Sequence, residues 1–131
     1  MAASFYGGPE RREFTRLDYV RPLGVKICKA ETISKMLSGY TSDISRAGLL
    51  CNVREKVGND DILWLSFDRS TLEFCQELEK RILVYQSGVI GKVVRVQPQG
   101  DSYNVGVRFL TIEEKNSTHI YPKIHFLLKD A

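Results

Sequence analysis

VIGKVVRVQPQGDSYNVGVRF, residues 89 to 109, is the stretch that decides the fold class. In its second half Tyr103, Val105, Val107 and Phe109 alternate strictly with Asn104, Gly106 and Arg108, the two-residue period of a strand with one face in a core. The run VIGKVVRV before it is rich in valine, and QPQGD between the two carries Pro98 and Gly100. The whole reads as an antiparallel hairpin. Working backwards, DDILWLSF (60–67) sets Ile62, Trp64 and Ser66 on one face and Leu63, Leu65 and Phe67 on the other, so both faces of this strand are expected to be covered. Val25 and Ile27 mark another strand that breaks before Leu37, GYTSDIS (39–45) is extended, and SRAG (45–48) turns the chain into GLLCNV.

Helical signals are fewer. In STLEFCQELEKRI (70–82), Leu72, Cys75, Leu78 or Glu79, and Ile82 recur at helical spacing, and Ser70 with Glu73 forms a capping-box pattern. Thr111 and Glu114 repeat that spacing ahead of the C-terminal NSTHIYPKIHFLLKDA, where Pro122 stops or restarts a helix. Many short strands, Gly/Pro turns and little helix point to a small antiparallel barrel or sandwich.

Composition bounds the rest. The 131 residues are 43% hydrophobic and 27% charged, enough apolar material for one core and one domain, with residues 1–10 (Gly7, Gly8, Pro9) as a flexible arm and 11–131 as the domain. A net charge of +3 is too small for a protein whose main task is to neutralise a nucleic-acid backbone. No apolar run approaches the roughly 20 residues that span a bilayer, and MAASFYGGPERR lacks the apolar centre of a secretory signal. The expected location is the cytoplasm. Cys28, Cys51 and Cys75 are odd in number and form no CxxC pair, so buried thiols are expected rather than disulfides or zinc. His119 and His125, six apart, lack a cysteine pair to complete a metal site. GDSY (100–103) falls in a hairpin turn, not at the strand-to-helix elbow of a hydrolase nucleophile. No nucleophile, metal or acid–base constellation emerges, and the sequence predicts a protein that is not an enzyme.

Two constellations do carry chemistry. RREFTR (11–16) packs three arginines into six positions. Arg12 and Arg16 share a side whether the segment is helical, with Cβ atoms about 5–6 Å apart, or extended, at roughly 13 Å. Arginine forks pair bidentately with phosphate, bind the O6/N7 edge of guanine, or stack on a base. In DISRAG (43–48), Asp43 and Ser45 face the same way on a strand, and Gly48 allows a turn or the close approach of a ligand. A carboxylate accepts hydrogen bonds from the N1–H and N2–H₂ of guanine. Taken singly, the first string reads as a solvated arm and the second as an Asx- or ST-turn.

Together, R-E-F-T-R followed by D-I-S-R-A-G resembles the RxxxR and DxSxxG pair of the PilZ domain family, and the Gly106, Val107, Phe109 ending resembles that family's closing hairpin. The resemblance spans roughly residues 11 to 112. It implies a mainly β fold, a six-stranded antiparallel β-barrel with one or two short helices including one at the C-terminus. It also implies a receptor for the bacterial second messenger cyclic di-GMP, with no cofactor and with a downstream protein partner. Arg12 and Arg16 would grip phosphates and guanine faces, and Asp43, Ser45 and Gly48 would line the opposite wall. Arg11, just before the motif, implies an intercalated pair of ligand molecules per chain. Such an arm would order on binding. Two other readings stay open: a PilZ-like adaptor that works without nucleotide, and a small barrel that binds RNA or single-stranded DNA.

Overall fold

The computed structural model describes residues 17–45, 47–67 and 81–130. Strands β1 (Leu17–Ile27), β2 (Leu37–Ile44), β3 (Gly48–Val53), β4 (Ile62–Ser66), β5 (Val84–Tyr85), β6 (Gly88–Gln99) and β7 (Ser102–Phe109) precede a 3-10 helix (Ile112–Asn116) and helix α1 (Tyr121–Asp130). All pairings are antiparallel. Around the ring the order is β1, β2, β3, β7, β6, β4, and β4 returns to β1 through Gly24 and Ser66. The result is a closed six-stranded antiparallel barrel. Closure pairs both edges of every strand in the ring and removes the unpaired edge that an open sheet presents.

Inside the barrel lie Val25, Ile44, Leu49, Leu63, Leu65, Val93, Val105, Val107 and Phe109, the inward phase of alternating strands. A second cluster forms outside the wall. Ile62, Trp64 and Ile90 point outward and are covered by Ile120, Ile124 and Leu127, the i, i+4, i+7 stripe of the C-terminal segment. β4 is therefore buried on both faces, as its unbroken apolar run requires. Pro122 does not interrupt α1 but stands in its first turn, where a missing N–H breaks no helical bond. Trp64 donates its indole N–H to the Tyr85 carbonyl at 2.7 Å, and Lys26 Nζ lies 5.7 Å from the ring centroid.

The closing hairpin is longer than its sequence suggests. Both strands run on to Gln99 and Ser102, leaving the two-residue turn Gly100–Asp101, and only Gly100 has a positive φ (61°). Pro98 is therefore a strand residue, paired with Tyr103, on a stretch of β6 that has no β4 partner. β5 has no counterpart in the sequence reading. It joins β6 through Gln86 and Ser87, both at positive φ (50° and 63°). The helix expected over 70–82 lies outside the described residues except at its end, where Arg81 is helical and Ile82 bridges to Thr111. The thiols of Cys28 and Cys51 are buried and free, each pushed up to about 12 by desolvation; Cys75 lies outside the described residues.

Candidate functional site

The second constellation sits where β2 passes into β3. Ser45 N–H donates to the Gly48 carbonyl at 2.9 Å and closes the loop. The Ser45 hydroxyl accepts from the Ala47 N–H at 3.2 Å, the ST-turn that a serine at this spacing favours. Ser45 is fully buried. Phe109 N–H donates to the Ala47 carbonyl at 2.9 Å, so the loop is tied to the end of β7.

Gly48 pairs with Arg108, and a Cβ at Gly48 would stand 1.9 Å from the Val107 carbonyl oxygen. The glycine is required by the approach of β7 to β3. Asp43 pairs with Leu50, whose neighbours Leu49 and Cys51 face the interior, so its side chain belongs to the outer wall. It is nonetheless 5% exposed. A register shift between Thr41 and Asp43 marks the bulge that re-aims the end of β2. Beside it, the Thr41 hydroxyl accepts from Arg21 N–H at 3.2 Å and lies 3.3 Å from the Arg21 carbonyl.

The pairing of β1 with β2 bears on the first constellation. Leu17 is opposite Ile44 and Asp18 is opposite Asp43. Arg11, Arg12 and Arg16 lie outside the described residues. The first described residues of β1, Leu17 and Asp18, are thus paired with the end of β2 that carries Asp43.

Three cations were given no role in the sequence reading. Lys92, Arg95 and Arg108 occupy the outward phase of β6 and β7, and Arg108 pairs with both Gly48 and Lys92. Arg108 forms a bidentate pair with Glu114 at 3.0 and 2.9 Å. Glu114 also accepts from the Thr111 N–H at 2.9 Å, which realises the capping-box spacing at the entry to the 3-10 helix. The Arg108 hydrogen bonds, outweighing partial burial, hold the Glu114 carboxyl well down, at about 2 against an ordinary 4.5. Lys92 pairs with Asp60 at 3.3 Å. The signal available was their polar phase on otherwise apolar strands.

Among the described residues no group of three potential metal ligands converges, and no helix is long and apolar enough to cross a membrane. The arrangement offers an outer wall on which Arg108 and Lys92 are paired with Glu114 and Asp60, and a tight loop with a buried carboxylate.

The comparisons with known proteins agree with this architecture. The chain aligns over 91% of its length, at 14% identity and a TM-score of 0.53, with the structure of the Bacillus subtilis inhibitor of motility (MotI/DgrA), of which it spans 52%. It also resembles the PilZ domain, with c-di-GMP, of YcgR from Escherichia coli (12% identity, 92% of each chain, TM-score 0.49). A third likeness is to the PilZ domain of CeSA from a cellulose-synthesizing bacterium (16% identity, 88% of this chain and 96% of that one, TM-score 0.40). No curated protein matches the sequence. The sequence profile of the PilZ domain matches residues 10–124, the whole described barrel and the start of α1, and on that match the chain belongs to the PilZ domain family.

Proposed function

We propose that the protein is a receptor for cyclic di-GMP that relays ligand binding to a partner protein. The observation that supports the reading is the pairing of Leu17 and Asp18, the first described residues after RREFTR in the sequence, with Ile44 and Asp43 of the DISRAG stretch. In this reading Arg12 and Arg16 hold the phosphates and guanine faces of the ligand, and Asp43 and the Ser45–Gly48 loop form the facing wall. Arg11 adds a third guanidinium to offset the charge of a stacked ligand pair. The arm orders when the site fills, and that change is what a partner reads.

Titration calorimetry with cyclic di-GMP, with GTP and cyclic GMP as controls, tests the assignment. Wild-type protein is expected to bind cyclic di-GMP selectively at micromolar concentration or below, with two ligands per chain. The Arg12→Ala/Arg16→Ala variant is expected to lose binding while keeping its Tm. Equal affinity in that variant would remove the arginines from the site. An Arg11→Ala variant that still takes two ligands would leave the stacked pair without its proposed anchor. Protection of residues 11–16 from proteolysis by ligand is the separate check on ordering.

A further inference from the structure

At the far end of β1, β2 and β3 from Asp43, the outer wall carries an open groove of about 700 Å³, lined among others by Pro22, Gly24, Met36, Ser38, Tyr40 and Arg54. Its floor follows from register. Ser38, Gly24 and Ser66 are direct neighbours across β2, β1 and β4, three successive positions with a small side chain or none. Its walls are apolar and uncovered: Tyr40 is 60% exposed and Met36 52%, and the Met36 sulfur lies 3.0 Å from where a Gly24 Cβ would stand. These are two of the five large apolar side chains exposed among the described residues, brought to one depression.

The electrostatics of the groove are one-sided. Arg54 is the single charged residue among the described residues lining it. Arg54 is exposed and makes no ion pair among the described residues, whereas the neighbouring Lys35 and Glu55 are paired with each other at 3.4 Å. The barrel is closed along these strands, so a partner cannot add a strand here and must be held by side chains. An aromatic anchor beside a small-residue floor, with an arginine at the rim, is the composition of an interaction hot spot.

We infer that this groove docks an acidic segment of a partner protein, seating one bulky apolar side chain on the Gly24 shelf between Met36 and Tyr40 and a carboxylate against Arg54. The position explains how such docking answers to the other end of the wall. The register shifts of β1 (between Asp18 and Arg21) and β2 (between Thr41 and Asp43) fall between the DISRAG loop and the groove, on the two strands that serve both. A change at Asp43 thus reaches Tyr40 through Thr41 and Ser42 of one irregular strand. That coupling rests on the receptor reading; occupation of the groove does not.

The test is selection of a random twelve-residue peptide library, displayed on phage, against wild-type protein and a Tyr40→Ala/Arg54→Glu variant, each with and without cyclic di-GMP. Both substituted side chains are exposed, so the variant is expected to keep the wild-type Tm and, if the protein is a receptor, its affinity for cyclic di-GMP. Wild type is expected to enrich peptides in which Asp or Glu flanks a Leu, Phe or Trp, at least tenfold over the variant. A selected peptide is expected to shift the backbone amide resonances of residues 23–24, 36–40 and 52–54. No enrichment above bare support, basic or neutral sequences, or acidic sequences that the variant retains would each overturn the proposal. So would a wild-type dimer that dissociates in the variant on sedimentation, which would give the groove to a second copy of this chain. Peptide selection that succeeds while wild-type protein fails to bind cyclic di-GMP would break the receptor reading and leave the groove intact.

Discussion

At one end of the wall built by β1, β2 and β3, Asp43 and Ser45 are withdrawn from solvent; at the other, Tyr40 and Met36 stand more than half exposed. The same three strands support both. At the loop end the sequence has little freedom, because Ser45 and Gly48, which read as binding-motif residues, also close a turn and admit a neighbouring strand. At the groove end the side chains meet nothing in the described structure that requires their size. A motif residue here is doubly constrained, so loss of binding in a loop-end variant must be separated from loss of fold, and the groove end is free of that ambiguity.

The largest expected effect tests that constraint at Gly48. A methyl group placed 1.9 Å from the Val107 carbonyl must push β3 away from β7, and overpacking of this kind costs about 3 kcal/mol. Gly48→Ala is therefore expected to lower Tm by roughly 10 °C with no ligand present, read by thermal denaturation. An unchanged Tm would mean that the glycine serves a ligand and not the barrel. Ser45→Ala comes next. It strips the Ala47 N–H of its acceptor in a part-buried loop, at about 1.5 kcal/mol. Calorimetry alongside sharpens the comparison: a weaker variant with unchanged cyclic di-GMP affinity assigns the hydroxyl to the turn alone, and a loss of both gives it two roles.

The Arg108–Glu114 pair, beside the loop, gives a smaller and pH-dependent effect. The Glu114 carboxyl is held below its ordinary value, so the pair stabilises the fold at pH above about 4.5 and that contribution disappears as pH falls towards 2. Both side chains are about a third exposed, and water screens the attraction to about 1 kcal/mol. Glu114→Gln is expected to melt a few degrees below wild type at pH 7, with the gap closing between pH 4.5 and 2. A gap independent of pH would trace the loss to the Thr111 turn instead.

What the sequence revealed follows the range of its signals. Period-two alternation located β7, the doubly apolar run 62–67 foretold a strand covered on both sides, and D-x-S-x-x-G located the β2–β3 turn. β5 was illegible because its turn uses Gln86 and Ser87 at positive φ, where the usual markers are glycine and asparagine. The groove was illegible for a different reason: Ser38, Gly24 and Ser66 become a floor only through cross-strand register, which no local pattern encodes. The Arg108–Glu114 pair likewise bridges a strand and a 3-10 helix, six residues apart, outside the spacing rules of either. For RREFTR, which lies outside the described residues, the sequence remains the source of the reading.

The smallest stability effect is expected at the other end of the wall, and it is the most discriminating. Tyr40 is 60% exposed, its backbone pairs with Pro22 and Asn52, and its ring rests on the surface, so Tyr40→Ala removes little buried area and spares the strand pairing. Its effect on Tm is expected to stay within about 0.5 kcal/mol equivalent, the range of ordinary surface substitutions. An exposed tyrosine whose removal leaves stability untouched while abolishing peptide capture is held there by something other than the fold. A Tyr40→Ala protein that melts as far below wild type as Gly48→Ala would instead make the ring part of the wall's structure, and the contrast between the two ends would collapse.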